Sequence, residues 1–125
     1  MGKVVHFEIS ADDVTRAQKF YKTVFDWVIN PMPDMEYTIV HTGPTNVKDG
    51  MAKEIGFING GMMKKNDLIK SPVITIDVAD IDACAKLIVR HGGSMLGDIM
   101  VVGDMGWAAY FKDSEGNIMG LWQNK

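Results

Sequence analysis

The chain contains one cysteine, Cys84, so no internal disulfide can staple it, and a reducing compartment suits it. It lacks a basic stripe and any block of like charge. The formal net charge is −3, with both signs interspersed. That argues against a nucleic-acid partner and against a charged tail. Its apolar runs stop far short of a membrane span, which argues against a membrane protein. The opening MGKVVHFEIS passes directly into a strand-like pattern with no signal peptide, and a cytoplasmic location is expected. No Ser-His-Asp set, phosphate-cradling glycine loop or paired catalytic carboxylates stand out.

What the chain does have is apolar material: 46% of its 125 residues, enough for one core and one domain. Ten methionines are a high count. Met fills irregular core gaps, and the alternative is a plastic pocket lining.

The organising stretch is Gly106–Trp122, GWAAYFKDSEGNIMGLW. Two aromatic and aliphatic runs flank Asp113–Asn117, which reads as a tight hairpin. Gly116 supplies the positive φ of the turn. Gly120 interrupts the second run between large apolar neighbours. A glycine in a strand often marks a place where something approaches the backbone.

From the start, Val4–Ile9 reads as a strand, and Asp12 or Asp13 as the cap of a helix. Val14, Ala17, Phe20, Tyr21 and Val24 recur at helical spacing. Trp27–Asn30 and Glu36–His41 read as strands, the first cut off by Pro31 and Pro33. Ile55–Met63 is a fourth strand, interrupted at Asn59-Gly60-Gly61. The second half repeats the plan. It has a strand at Val73–Val78 and a helix from Asp80 with a stripe of Ile81, Cys84, Leu87 and Ile88. Gly92 is the left-handed cap, then come a strand at Met95–Val102 and the hairpin. One offset aligns the halves: Asp13 on Asp80, Val14 on Ile81, Ala17 on Cys84, Phe20 on Leu87, Tyr21 on Ile88. Two copies are too few for a solenoid and indicate a duplicated sheet fold.

Val5-His6-Phe7-Glu8-Ile9, Asp12-Asp13, Phe20-Tyr21 and Phe25-Asp26-Trp27 resemble the opening of vicinal-oxygen-chelate proteins. That superfamily includes glyoxalase I, bleomycin-resistance proteins and extradiol dioxygenases. Tyr110-Phe111-Lys112-Asp113, Gly116-Asn117 and Leu121-Trp122 resemble its closing hairpin. The chain looks most like the branch related to lactoylglutathione lyase. The resemblance implies an α+β fold of two βαβββ modules, about 1–63 and 71–125. Their mixed sheets curl around a cleft, with the helices on the convex side. Phe20, Tyr21, Leu87 and Ile88 are expected beneath the helices. It also implies a homodimer and a small organic ligand.

The family's enzymatic metal takes one His or Glu from each of four strands. Carried over, the first ligand falls on His6, the second-half counterpart on Val73, and the last-strand carboxylate on Gly120. The first-half counterpart of Gly120 falls near Gly60 or Gly61. Only His6 has a donor atom, so no metal cofactor is expected. His6 is then the candidate general base or ligand contact, against a reading as a hydrogen-bonded core histidine. Ile118, Gly120 and Trp122 share a strand face and are expected to line the ligand cleft, Trp122 as a stacking wall. Asn59 either hydrogen-bonds a ligand or makes a turn. Trp27 and Cys84 read as packing, His91 as a helix-end residue and His41 as a strand-end residue. The function expected is a small-molecule-binding glyoxalase/bleomycin-resistance-like protein. The alternatives are a metal-dependent lyase or dioxygenase, and a sequestering protein that binds without turnover.

Overall fold

The computed structural model covers residues 1–125. The chain forms two compact units, His6–Pro72 and Val73–Lys125, the latter taking in Met1–Val5. Each carries the order strand, helix, three strands. The first has β1 (Lys3–Ala11) from His6 onward, α1 (Val14–Phe25), β2 (Val28–Met32), β3 (Tyr37–His41) and β4 (Gly60–Lys64). The second has β5 (Val73–Asp77), α2 (Ile81–Arg90), β6 (Ser94–Val102), β7 (Gly106–Lys112) and β8 (Ile118–Asn124).

Strand order in the first unit is β2-β3-β4-β1, and in the second β5-β8-β7-β6. The first and last strands of each unit run parallel, β1 with β4 and β5 with β8, and the remaining pairs are antiparallel. The fold is therefore mixed α+β, as the resemblance implies.

The repeat is visible at the helix caps. Asp13 Oδ1 accepts from the Arg16 amide and Asp80 Oδ1 from the Ala83 amide, both at 3.0 Å. Each satisfies one donor left over by the first helical turn. Gly92 and Gly116 have φ of 97° and 83°, the left-handed values their turns require. Asp113 organises the hairpin turn by accepting from the amides of Glu115 and Asn117 and from the Asn117 side chain. Those bonds hold its carboxyl below the usual range.

Several expectations need correction. Phe20 and Leu87 are 55% and 50% exposed rather than buried, while Tyr21 and Ile88 are half-buried. The inward face of α1 is Val14, Ala17, Gln18 and Tyr21, set by helical period. Gln18 belongs there because its amide donates to Thr38 Oγ1 at 2.8 Å, and Thr38 is buried. Likewise Ile81, Cys84 and Ile88 face the second core with Phe111, Ala109 and Leu121, and Leu87 points away. β2 runs on through Pro31 to Met32. It pairs only with β3 within its unit, and there a proline costs no ladder bond on its open side. The fourth strand begins at Gly60 rather than Ile55, because the side chain of Asn59 is bonded into the preceding loop. Among the methionines Met62 fills the first core, but Met1, Met32, Met35, Met51, Met100 and Met105 are exposed.

Candidate functional site

In the first unit, Phe7 packs on Trp27 at 5.9 Å between ring centroids, and Trp27 stacks on Tyr21 of α1 at 5.0 Å and 5°. Phe7 and Thr38 therefore lie on the helix side of the sheet. Alternation places His6, Glu8 and Ser10 of β1 on the opposite side, with Tyr37, Ile39 and His41 of β3. Register sets Glu8 beside Gly61 and Gly61 beside Ile39.

Gly60 and Gly61 explain themselves here. A Cβ on Gly60 would come 2.6 Å from the Phe7 ring. A Cβ on Gly61 would overlap the Tyr37 phenol. Two glycines in succession let one aromatic ring close on the sheet from each side. The Tyr37 ring crosses Gly61 and ends at His6, with Tyr37 Oη 2.9 Å from His6 Nε2. His6 is half-buried, and desolvation lowers its pKa from the ordinary value, opposed by the smaller attraction of Glu8. The imidazole is therefore neutral near pH 7. Glu8 is buried on the same face, 8% exposed. The Ser10 hydroxyl, further along, is buried without a hydrogen-bond partner.

His41 is the last residue of β3, and His91 caps α2 at its C-terminal end. Asn59 is bonded through both ends of its side-chain amide. Its Oδ1 accepts from the Thr42 amide and its Nδ2 donates to Thr45 Oγ1, each at 2.9 Å. It fastens the loop between β3 and β4.

In the second unit Ile118, Gly120 and Trp122 do share one face of β8. Gly120 lies between Thr75 and Tyr110, and Trp122 between Asp77 and Ala108. The Trp122 indole donates to Asn124 Oδ1 at 2.9 Å, and its ring edge lies 2.8 Å from where a Gly106 Cβ would be. A Cβ on Gly120 would sit 2.7 Å from Thr75 Oγ1. Gly120 is thus needed for sheet packing. The structure brings Ile118, Gly120 and Trp122 together in this unit, and it places His6 and Asn59 in the other.

Each unit carries a cavity. One of about 430 Å³ is lined by Met1, Gly2, Asp77, Val78, Ala79, Gln123 and Asn124. The other, of about 340 Å³, is bordered by Tyr37 and by Val14, Gln18, Pro31, Met32, Pro33, Glu36, Thr38 and Lys64. None of the five residues expected at the site lines either cavity. Sequence reasoning missed Tyr37. The signal available was the glycine at 61, which marks a close approach to the strand.

The residues do not fit the metal that the resemblance implies. His6 Nε2 is engaged by a phenol, Gly61 has no side chain, and Val73 is buried and without a donor atom. No three His, Cys, Asp or Glu side chains come together in a way that would hold an ion. No helix is long and apolar enough to cross a membrane. Cys84 is half-buried, and burial pushes its thiol up, away from thiolate reactivity.

Residues 3–43 match the family model described as bleomycin resistance protein-like N-terminal. A glyoxylase-like domain-containing protein of Didymella fabae is 29% identical over 126 residues, covering 93% of this chain and 89% of that one. CFP32 of Mycobacterium bovis, a glyoxylase by name, is 27% identical over 116 residues. The match covers 93% of this chain but only 43% of CFP32, so this chain spans less than half of that relative. Methylmalonyl-CoA epimerase from Mycobacterium tuberculosis superposes with a TM-score of 0.64 at 14% identity, over 98% of this chain and 87% of the other. The Streptomyces coelicolor epimerase in complex with 2-nitronate-propionyl-CoA gives 0.62 at 18% identity, over 98% and 96%. At that identity the likeness is one of fold.

Proposed function

We propose that this chain, which has glyoxylase-like and bleomycin-resistance-like relatives, belongs to the vicinal-oxygen-chelate superfamily and binds a small organic molecule at the His6 face of its first unit without a resident metal. The observation that supports this reading is the His6–Tyr37 pair, a neutral imidazole and a phenol held 2.9 Å apart beside buried Glu8. Desolvated polar groups on a sheet face orient a ligand more strongly than the same groups in water. The ligand class is a planar or partly apolar compound whose polar end meets His6. The metal-dependent lyase or dioxygenase reading has only one donor of the usual set to rest on. The positions that the other ligands would take are held by glycines and by Val73.

A thermal-shift screen of aromatic and carbonyl compounds tests this, with metal analysis on the same sample. A compound that raises the melting temperature of the wild type, and less so that of His6→Ala, is expected. Equal shifts in both proteins would remove His6 from the site. Stoichiometric Zn, Ni, Fe or Mn in protein purified without added metal would overturn the metal-free reading.

We also propose a homodimer, since β2 is paired on one side only within its unit and an open edge is a liability. Light scattering at high micromolar concentration checks it, and a monomer there would count against it.

A further inference from the structure

The position that the fold family gives to a metal ligand is held here by His6, and its Nε2 is already taken. Tyr37 has its hydroxyl 2.9 Å from that nitrogen and its ring over Gly61. The two residues are 31 apart in sequence, and the contact exists because β3 and β4 are adjacent and Gly61 leaves room. Any side chain at position 61 would take the space of the phenol. Glycine at 61 and tyrosine at 37 are therefore one device.

We propose that Tyr37 takes the place of a metal ion as the partner of His6. Its phenol donates to Nε2 and fixes the ring as the Nδ1–H tautomer. That proton is then presented to a carbonyl or carboxylate oxygen of the ligand. The inference rests on the function proposed above and names the group that the site recognises.

The argument is one of proton accounting. A neutral His–Tyr pair holds one N–H and one O–H, and a single hydrogen bond between them consumes one of these. A phenol gives up its proton near pH 10, far more readily than a neutral imidazole does, and an imidazole nitrogen is the better acceptor. The O–H therefore lies in the bond and Nδ1 keeps its hydrogen. The hydrogen bond that the structure gives the His6 ring is the one at Nε2, which leaves Nδ1 for a ligand. The neutral form that this arrangement needs is the one that burial favours. A metal on Nε2 would have to expel the phenol. A ligand oxygen on Nδ1 leaves the pair intact. The site then selects an acceptor oxygen by donating one hydrogen bond, where a chelate would use open coordination positions.

Protein labelled with ¹⁵N histidine decides the matter. The His6 ring should show one neutral tautomer, protonated on Nδ1, with Nε2 shifted by an incoming hydrogen bond. Tyr37→Phe should move Nε2 toward a free acceptor and let the tautomers mix. Zn²⁺ added to the wild type should leave the His6 signals unchanged. Benzoate and acetophenone serve as probes for a carboxylate and a carbonyl oxygen. Either should perturb Nδ1, and Tyr37→Phe should weaken that binding by about threefold, the loss of one modest hydrogen bond. A ring protonated on Nε2, an Nε2 signal indifferent to Tyr37→Phe, or Zn²⁺ coordination at Nε2 overturns the inference and leaves the ligand site standing. Binding that perturbs β1, β3 or β4 but not Nδ1 overturns it too. If neither probe perturbs any of these strands while the tautomer is as expected, the pair is built as described and the proposed function fails.

Discussion

The two units share an order of elements and a register, yet treat equivalent positions differently. Glu8 pairs with Gly61 across the parallel strands of the first unit, as Thr75 pairs with Gly120 in the second. In both, a glycine on the closing strand faces a buried polar residue on the opening strand. In the first unit that glycine admits the Tyr37 ring, which reaches His6. In the second it abuts Thr75, and His6 has its counterpart in buried, apolar Val73. The cores differ as well. α2 contributes buried Ile81 to a cluster with Ala109, Phe111 and Leu121, whereas α1 buries no residue fully. The duplication thus gives one half a buried apolar cluster that includes its helix, and the other a His–Tyr pair on its sheet face.

The largest effect expected is in the packed half. Leu121 is 1% exposed, and Leu121→Ala should cost about 2–5 kcal/mol of stability in urea unfolding. A loss under about 1 kcal/mol would mean that the second core is not as tight as the contrast requires.

The glycines sharpen the comparison next. Gly61→Ala must push the Tyr37 phenol away and should cost about 3 kcal/mol. It should also change the His6 signals. Gly120→Ala meets only the stiff Thr75 side chain, at 2.7 Å, and should cost about 1 kcal/mol. Thr75 leaves little room for a larger side chain at Gly120. Equal costs at the two positions would erase the distinction between the units.

The helix caps should not distinguish them. Asp13→Ala and Asp80→Ala remove the same bond at the same length, and each should cost about 1 kcal/mol. A twofold difference would show that the two halves are not equally dependent on their helices.

The caps, the duplication and the closing hairpin were all legible in the sequence, because Asp, Gly and apolar periodicity act locally. Helix orientation was not. Phe20 and Leu87 align across the repeat, and the alignment is right, but both face outward. Nor does the polarity of Gln18 give any hint of the buried Thr38 hydroxyl that it bonds. The candidate site was half legible. His6 stood out by resemblance, and the glycine signal was read at Gly120 when its stronger case was Gly61. Tyr37 carried no local signal, since its partner lies 31 residues away and is brought near only by sheet register. Asn59 was offered as ligand or turn, and its two bonds place it in the loop.

A pH-dependent difference should come from His6. Its folded-state value lies below the ordinary 6.5, so the native protein binds fewer protons than the unfolded chain as the pH falls. The contribution is fully present above the unfolded value of about 6.5 and is lost as pH falls through the lowered native value. Urea midpoints of wild type and His6→Gln should therefore fall apart less in acid than at pH 8. Parallel profiles from pH 8 to 5 would mean that His6 titrates as if exposed, and the contrast between the halves would weaken.

The smallest effect tests the helix faces. Leu87 and Phe20 occupy equivalent places in the two helices and are 50% and 55% exposed. Leu87→Ser removes an exposed side chain away from the core and should change stability by no more than about 0.5 kcal/mol. Phe20→Ser is not quite its equal. Phe20 makes an edge contact with Tyr21 at 5.1 Å and another with Phe25 at 6.4 Å, and such pairs are worth roughly 0.5–1.5 kcal/mol when well packed. Half-exposed, it should lie at the lower end of that range, so Phe20→Ser should cost slightly more than Leu87→Ser. The ordering carries the argument. If Leu87→Ser proves as damaging as Leu121→Ala, then Leu87 faces the core after all, and α2 is turned by about 100° from the face described here.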